Sequence, residues 1–216
     1  MRGPVVGSHY FDERPPVASR PRKIRARLRG REWTFVTDRG VFGRDAVDAG
    51  TRLLIETMRL APTDHVLDVG CGYGPVGLVA AVSASAGRVV LVDVNARAVH
   101  LAEQNAALNN VSNVEVLLGD GGTVVAGRTF DVAVTNPPIR AGRATLLRLV
   151  REVGDVLRPG GRLVFVVRTA QGAKTLAREV AAIFGTVTEL AHKSGYRVYE
   201  AVKGDATAPA PTQRDV

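Results

Sequence analysis

Cysteine occurs once in 216 residues, as Cys71, which excludes an internal disulfide and any cysteine-rich metal site. The four histidines, His9, His65, His100 and His192, are scattered without ligand spacing, and no structural metal is expected. No apolar run approaches the roughly 20 residues that cross a bilayer. The opening stretch, MRGPVVGSHYFDERPP, lacks the apolar core of a secretory signal. Acidic residues are missing in one place: Arg20–Arg31 holds seven basic side chains and no acid. What is present is a 45% apolar chain, long enough for one well-packed α/β domain and a short appendage. A cytoplasmic protein is the expectation.

The charge is unevenly placed. Of the net +8, residues 1–60 contribute +6, with 13 Lys/Arg against 7 Asp/Glu. From Lys23 the chain alternates, with Ile24, Ala26 and Leu28 on one side and Arg25, Arg27 and Arg29 on the other. That is a half-buried strand with an arginine face. A turn at Arg29–Glu32 and a return strand at Trp33–Thr37 complete a basic β-hairpin. A localised positive field of this kind suits a polyanion, nucleic acid foremost.

Beyond the hairpin, Asp45 reads as the N-cap of a helix running through Leu60 and ended by Ala61-Pro62. Strands at 65–69, 88–92, 114–118, 130–135 and 163–167 then alternate with helices. One helix opens at Pro75, one is capped by Asn95, one spans Ala144–Leu157, and one carries Leu176, Val180 and Ile183. Arg158-Pro159-Gly160-Gly161 reads as a turn. Two closing strands, 186–190 and 197–202, lack a helix between them and should pair antiparallel at a sheet edge. The pattern predicts a seven-stranded, mostly parallel, doubly wound sheet. In such folds ligands bind beyond the carboxyl ends of the strands.

Unusual residues gather at those ends. The first core strand runs into Asp68-Val69-Gly70-Cys71-Gly72-Tyr73-Gly74. Glycines let the backbone turn sharply and approach a ligand, and the following helix offers its N-terminus. A dinucleotide fingerprint requires glycine at position 75, which is Pro75. The D-x-G-x-G-x-G pattern instead resembles motif I of class I S-adenosylmethionine-dependent methyltransferases. Asp93, ending the next strand, can accept both hydroxyls of a ribose. Asp120 ends the third, where the same resemblance implies a contact to the adenine amino group.

The fourth end is Asn136-Pro137-Pro138-Ile139. An amino group on a base or amide is a poor nucleophile, because its lone pair is delocalised. Asn136 Oδ1 and the Pro137 carbonyl can accept its two N–H bonds, and the prolines, Pro138 included, keep both acceptors aimed. This Asn-Pro-Pro-x pattern is similar to motif IV of methyltransferases acting on planar nitrogens: adenine N6, guanine N2 or protein glutamine N5. Many of these carry an aromatic residue fourth, where this chain has Ile139; isoleucine can still pack against a base face, and Tyr10, Phe11 or Phe42 could supply an aromatic wall instead.

Together with Asn136–Gly142, the segments His9-Tyr10-Phe11, Thr37–Phe42, Val47–Thr51 and Gly195–Val198 resemble the methyltransferase small domain family. That group is related to ribosomal RNA small-subunit methyltransferase C, a guanine-N2 enzyme. The resemblance implies a Rossmann-like fold binding S-adenosyl-L-methionine through Asp68, Gly70, Gly72, Gly74, Asp93, Asp120, Phe42 and Thr51. Catalysis would fall to Asn136, Pro137 and Pro138. Ile139, Arg140 and Arg143 would meet the target base and its flanking phosphates, and Arg25, Arg27 and Arg29 the RNA backbone. The expected parts are an N-terminal segment with the basic hairpin (1–43), a methyltransferase domain (44–203) and a disordered tail (204–216). The expected partner is rRNA or a ribosomal subunit, with no membrane. A protein glutamine-N5 methyltransferase and a non-catalytic cofactor- and RNA-binding module are the competing readings.

Overall fold

The computed structural model describes residues 17–204; Tyr10, Phe11 and the tail from residue 205 lie outside the described residues. Strands β1 (Arg22–Leu28) and β2 (Arg31–Thr37) pair antiparallel, Arg22 opposite Thr37 and Leu28 opposite Arg31. Ile24, Ala26 and Leu28 are buried while Lys23, Arg25 and Arg27 are exposed, as the alternation predicts. Only Arg29 and Gly30 form the turn, with φ of 47° and 74°, the two positive values that a two-residue hairpin loop matching strand twist demands.

Helix α1 (Ala49–Thr57) follows. Its N-cap is Asp48, whose Oδ2 accepts from the N–H of Gly50 at 2.8 Å and of Thr51 at 3.3 Å. The sequence expectation of Asp45 as cap, with a helix to Leu60, is corrected here. Asp45 instead meets Arg22 at 2.5 Å. Then come β3 (Val66–Val69), α2 (Pro75–Ser83), β4 (Val89–Asp93), α3 (Ala96–Leu108), β5 (Val114–Leu118), β6 (Phe130–Thr135) and α4 (Arg143–Val156). The chain continues with β7 (Leu157–Arg168), α5 (Ala173–Phe184), β8 (Gly185–Lys193) and β9 (Tyr196–Lys203). Arg158–Gly161 turns within the first part of β7, as the sequence predicts, before the strand rejoins β6 at Arg162. The register against β6 slips between Phe130 and Val132, and Gly160 absorbs it at φ 69°.

The sheet order is β5-β4-β3-β6-β7-β9-β8, with β9 antiparallel to β7 and β8 antiparallel to β9. The closing hairpin thus forms the sheet edge, as expected. Alternate strand residues feed two cores. Val66, Leu91, Val132, Val164 and Val198 pack with α1, α2, α3 and the β1–β2 hairpin. Leu67, Val92, Ala133, Phe165 and Tyr199 pack with α4 and α5. Among the described residues no helix is long and apolar enough to cross a membrane.

The free edge of β2 is closed by side chains. Asn105 Oδ1 accepts from Val36 N at 2.7 Å, and its Nδ2 donates to the Val36 and Tyr73 carbonyls at 2.9 Å. Asn109, one turn later, repeats the pairing with Thr34 N and O at 3.3 and 2.8 Å. Amides at i and i+4 on α3 match alternate residues of β2, so the helix supplies a strand's hydrogen bonds. The hairpin is thereby fixed to the helix that begins at the cofactor side of the cleft.

Candidate active site

From β3 the chain adds β4 and then β5 on one side, and the connection after β5 returns to place β6 on the other side of β3. This switch point opens a crevice flanked by the glycine loop after β3 and the Asn-Pro-Pro turn after β6. The two ends are tied by Thr135 Oγ1, which donates to Val69 O at 2.7 Å.

On the β3–β4 side the parts are backbone and carboxylate. Gly70 and Cys71 N–H both donate to Val92 O, at 2.8 and 3.0 Å. Gly72 N–H donates to Asp93 Oδ2 at 2.8 Å, while Asp93 Oδ1 takes Asn95 N–H at 2.9 Å. Gly70 and Gly72 adopt φ of 72° and 58°, and an added Cβ would meet nothing closer than 4 Å at either. Backbone conformation, not crowding, requires these glycines, and the loop's outer face stands open to a ligand. Gly74, at φ 92°, caps α2. Burial drives the Asp93 carboxyl up while the N–H groups of Asn95, Gly72 and Val94 favour its charged form. Each carboxylate oxygen keeps a further acceptor site, so the ribose contact expected of Asp93 fits.

Asp68 differs from its expected role in its surroundings. It is 1% exposed, and its Oδ2 accepts from Gly77 N–H at 2.7 Å inside α2. Gly77 allows this approach, since a Cβ there would lie 2.9 Å from that oxygen. Asp68 braces the glycine loop from beneath. Asp120 lies at the β5 end with its carboxylate on Arg148 at 2.7 Å, and Arg148 also reaches Glu152 at 2.5 Å. Phe42 is 49% exposed. It follows Val41, which approaches Gly72, on a loop held to α3 by Asn95 Nδ2 donating to Gly40 O at 2.8 Å and Arg97 donating to Arg39 O at 2.6 Å.

On the β6 side, Ile139 N–H donates to Pro137 O at 2.9 Å, and Pro138 has φ −75° and ψ 77°. The turn is an inverse γ-turn with proline at its centre, and one lone pair of the Pro137 carbonyl remains for another donor. Asn136 Nδ2 donates to Thr51 Oγ1 at 2.9 Å, and among the described residues no donor meets its Oδ1. Ile139 packs against the α4-side core. Arg140 is exposed, whereas Arg143 is engaged with Glu179 of α5 at 2.5 Å.

Arg29 is not part of the exposed arginine face. Its Nε donates to Ile55 O at 2.7 Å, Nη1 to Ser83 Oγ at 3.0 Å, and Nη2 to Met58 O, while its backbone N–H meets Glu56. It closes the C-terminal end of α1, where unpaired carbonyls attract a cation. Burial lowers its pKa, against the Glu56 charge that raises it.

Sequence reasoning missed the groups that join these parts: Asp48, Tyr196, Asn105 and the bond from Asn136 to Thr51. The Asn105–Tyr73, Asn136–Thr51 and Tyr196–Asp48 bonds span 32, 85 and 148 residues; Asp48 and Tyr196 lie in segments that carry the family resemblance, but nothing local announces which groups they join.

The sequence matches the Methyltransferase small domain family over residues 32–200. It is 36% identical over 200 residues to an uncharacterized Bacillus subtilis protein, YbxB, covering 92% of this chain and all of that one. It is 36% identical over 202 residues to ribosomal RNA small subunit methyltransferase C of Chromohalobacter salexigens, covering 90% of this chain and 59% of that one. The structure resembles T. thermophilus 16S rRNA N2 methyltransferase RsmC in complex with AdoMet and guanosine. The TM-score is 0.76 at 30% identity, over 88% of this chain and 52% of that one. The chain thus spans little more than half the length of these named methyltransferases. With the glycine loop, Asp93 and the Asn-Pro-Pro turn in place, the chain belongs to the methyltransferase small domain family of class I methyltransferases, and its cofactor is S-adenosyl-L-methionine.

Proposed function

We propose that the chain methylates an exocyclic amino group of an RNA base, guanine N2 of small-subunit rRNA. The observation that carries this reading is the acceptor pair at the β6 end, Asn136 Oδ1 and Pro137 O, set across the switch point from the glycine loop. Bound S-adenosylmethionine supplies a methyl group already activated on its sulfonium. Asn136 and Pro137 hold the two N–H bonds of the target amine and turn its lone pair toward that methyl. With the cofactor bound, transfer of its methyl group to the held nitrogen would leave a surplus amine proton that passes to water, so these residues need supply no shifted general base. Phe42, Gly70, Gly72, Gly74, Asp93 and Asp120 line the cofactor side in this reading, with Asp68 bracing the loop.

Guanine is favoured because the similar RsmC structure holds guanosine beside AdoMet, and rRNA because the named relatives act on it. Lys23, Arg25 and Arg27 supply the field for a phosphate backbone, with Arg140 beside the acceptor turn. Arg29 is excluded by its structural bonds, and Arg143 must first leave Glu179. Replacing Arg25 and Arg27 together by alanine should reduce the slope of log affinity against log salt by about 2, with little change in melting temperature.

Labelled S-adenosylmethionine supplied with naked 16S rRNA, isolated 30S subunits or release factor tests the reading. Label on guanine N2 of the RNA is expected. Label on release factor alone would establish a protein glutamine methyltransferase instead, and no transfer to any of them would favour a binding module.

A further inference from the structure

We infer that Thr51 is a positioning residue for methyl transfer, fixing which end of the Asn136 amide faces the amine to be methylated. The inference rests on the function proposed above and assigns a part to a residue expected only to line the cofactor pocket.

The two ends of an asparagine amide are nearly the same in shape and opposite in hydrogen bonding. If Nδ2 faced the cleft, donor would meet donor and the amine would be expelled. Thr51 is 5% exposed, and its Oγ1 takes the Nδ2 donor at 2.9 Å and so turns Oδ1 away from it. A hydroxyl can also donate, but the incoming N–H group selects the same orientation as the Thr51 acceptor, and the two reinforce each other.

Thr51 is itself held in place. It stands in the first turn of α1, where Asp48 Oδ2 binds the N–H groups of Gly50 and Thr51. Asp48 Oδ1 accepts from the Tyr196 hydroxyl at 3.2 Å. The Tyr196 ring lies against Gly50, where a Cβ would stand 2.6 Å from Cδ1 and Cε1, and Arg168 covers the ring at 5.5 Å from its centroid. Burial raises the Tyr196 pKa, with the Asp48 charge adding, which keeps the phenol a donor to that carboxylate. The relay from Tyr196 through Asp48 and Thr51 to Asn136 joins the C-terminal hairpin and the N-terminal helix to the acceptor turn.

The test compares T51V, T51S and Y196F for methyl transfer to 16S rRNA and 30S subunits, with S-adenosylmethionine affinity measured by calorimetry. T51V keeps the side-chain shape and should lower kcat about tenfold or more, leaving cofactor affinity within twofold, while T51S recovers most of the turnover. Exchange of the Asn136 side-chain amide protons, followed by NMR without substrate, should quicken in T51V and not in T51S. Wild-type turnover in T51V overturns the inference, as does a loss matched by weaker cofactor binding. If T51V does not fold, Y196F carries the test: a lower kcat at unchanged cofactor affinity supports the relay, and a wild-type kcat breaks it. Asn136→Ala separates the two levels. If that variant transfers normally, the proposed function fails; if it is inactive while T51V is not, only the role of Thr51 does.

Discussion

The two walls of the cleft are held by different means. On the cofactor wall, backbone N–H groups of Gly70, Gly72 and Asn95 lock onto Val92 O and Asp93 at the end of the next strand, Asp93 lying 21 residues beyond Gly72. On the acceptor wall, the Asn136 side chain is held by Thr51, 85 residues away, and Thr51 by a capping carboxylate bound to Tyr196. Backbone locks depend on local conformation and demand glycine. Side-chain locks depend on the whole fold bringing remote groups together.

Breaking each wall should therefore damage a different quantity. Asn136→Ala removes the acceptor proposed for the reacting amine, so kcat should fall about 100-fold or more, with cofactor affinity unchanged by calorimetry. Asp93→Ala removes the carboxylate that anchors Gly72 and Asn95 and would bind ribose. The cofactor dissociation constant should rise about 10- to 100-fold, and saturating cofactor should restore much of the turnover. If both variants lost affinity and turnover alike, the division between the walls would collapse.

The same division decides what could be read from the sequence. Gly70, Gly72 and Gly74 follow one apolar strand at two-residue spacing, and Asp93 and Asn95 end the next, so the turns they build were visible locally. Pro137 and Pro138 marked the acceptor turn for the same reason. Asp45 was mistaken for the cap because Asp45 and Asp48 stand equally before the helix in sequence, and only the placement of Arg22 draws Asp45 away. Arg29 fitted the alternation of an exposed face, but a positive φ at the turn carried its side chain onto the end of α1. Periodicity within a strand says nothing about the residue where the strand ends.

The hairpin offers a sharper version of the comparison, since side-chain locks hold it without any catalytic duty. Asn105 is fully buried, and its loss strands Val36 N, Val36 O and Tyr73 O. Asn105→Ala should destabilise the chain by about 3 kcal/mol in urea unfolding. Methyl transfer measured well below the melting temperature should persist. A change under about 0.5 kcal/mol would show that water can replace the amide ladder.

The smallest effect concerns protons. Burial pushes the Asp68 carboxyl up to about 7, against the favourable Gly77 N–H and with the Asp93 charge adding. Elsewhere carboxylates are held below their ordinary range against the cost of burial: Asp38 by Ser19, the N–H groups of Arg20 and Arg39, and Arg97, and Asp131 by the His65 N–H and Arg158. The signs are opposite. Between about pH 4 and 7 the folded state holds an Asp68 proton that the unfolded chain has released, so this group's contribution to stability falls as pH rises and levels off above 7. The Asp38 and Asp131 contributions are fully present above about pH 4 and are lost as pH falls below it. Asp68→Asn keeps an oxygen for Gly77 and removes the proton, so its melting temperature should decline less between pH 5 and 8 than that of the parent. An unchanged slope would move the titration to Asp93, the other carboxyl raised by burial at this wall, and the glycine loop would then be braced by a charged Asp68 throughout.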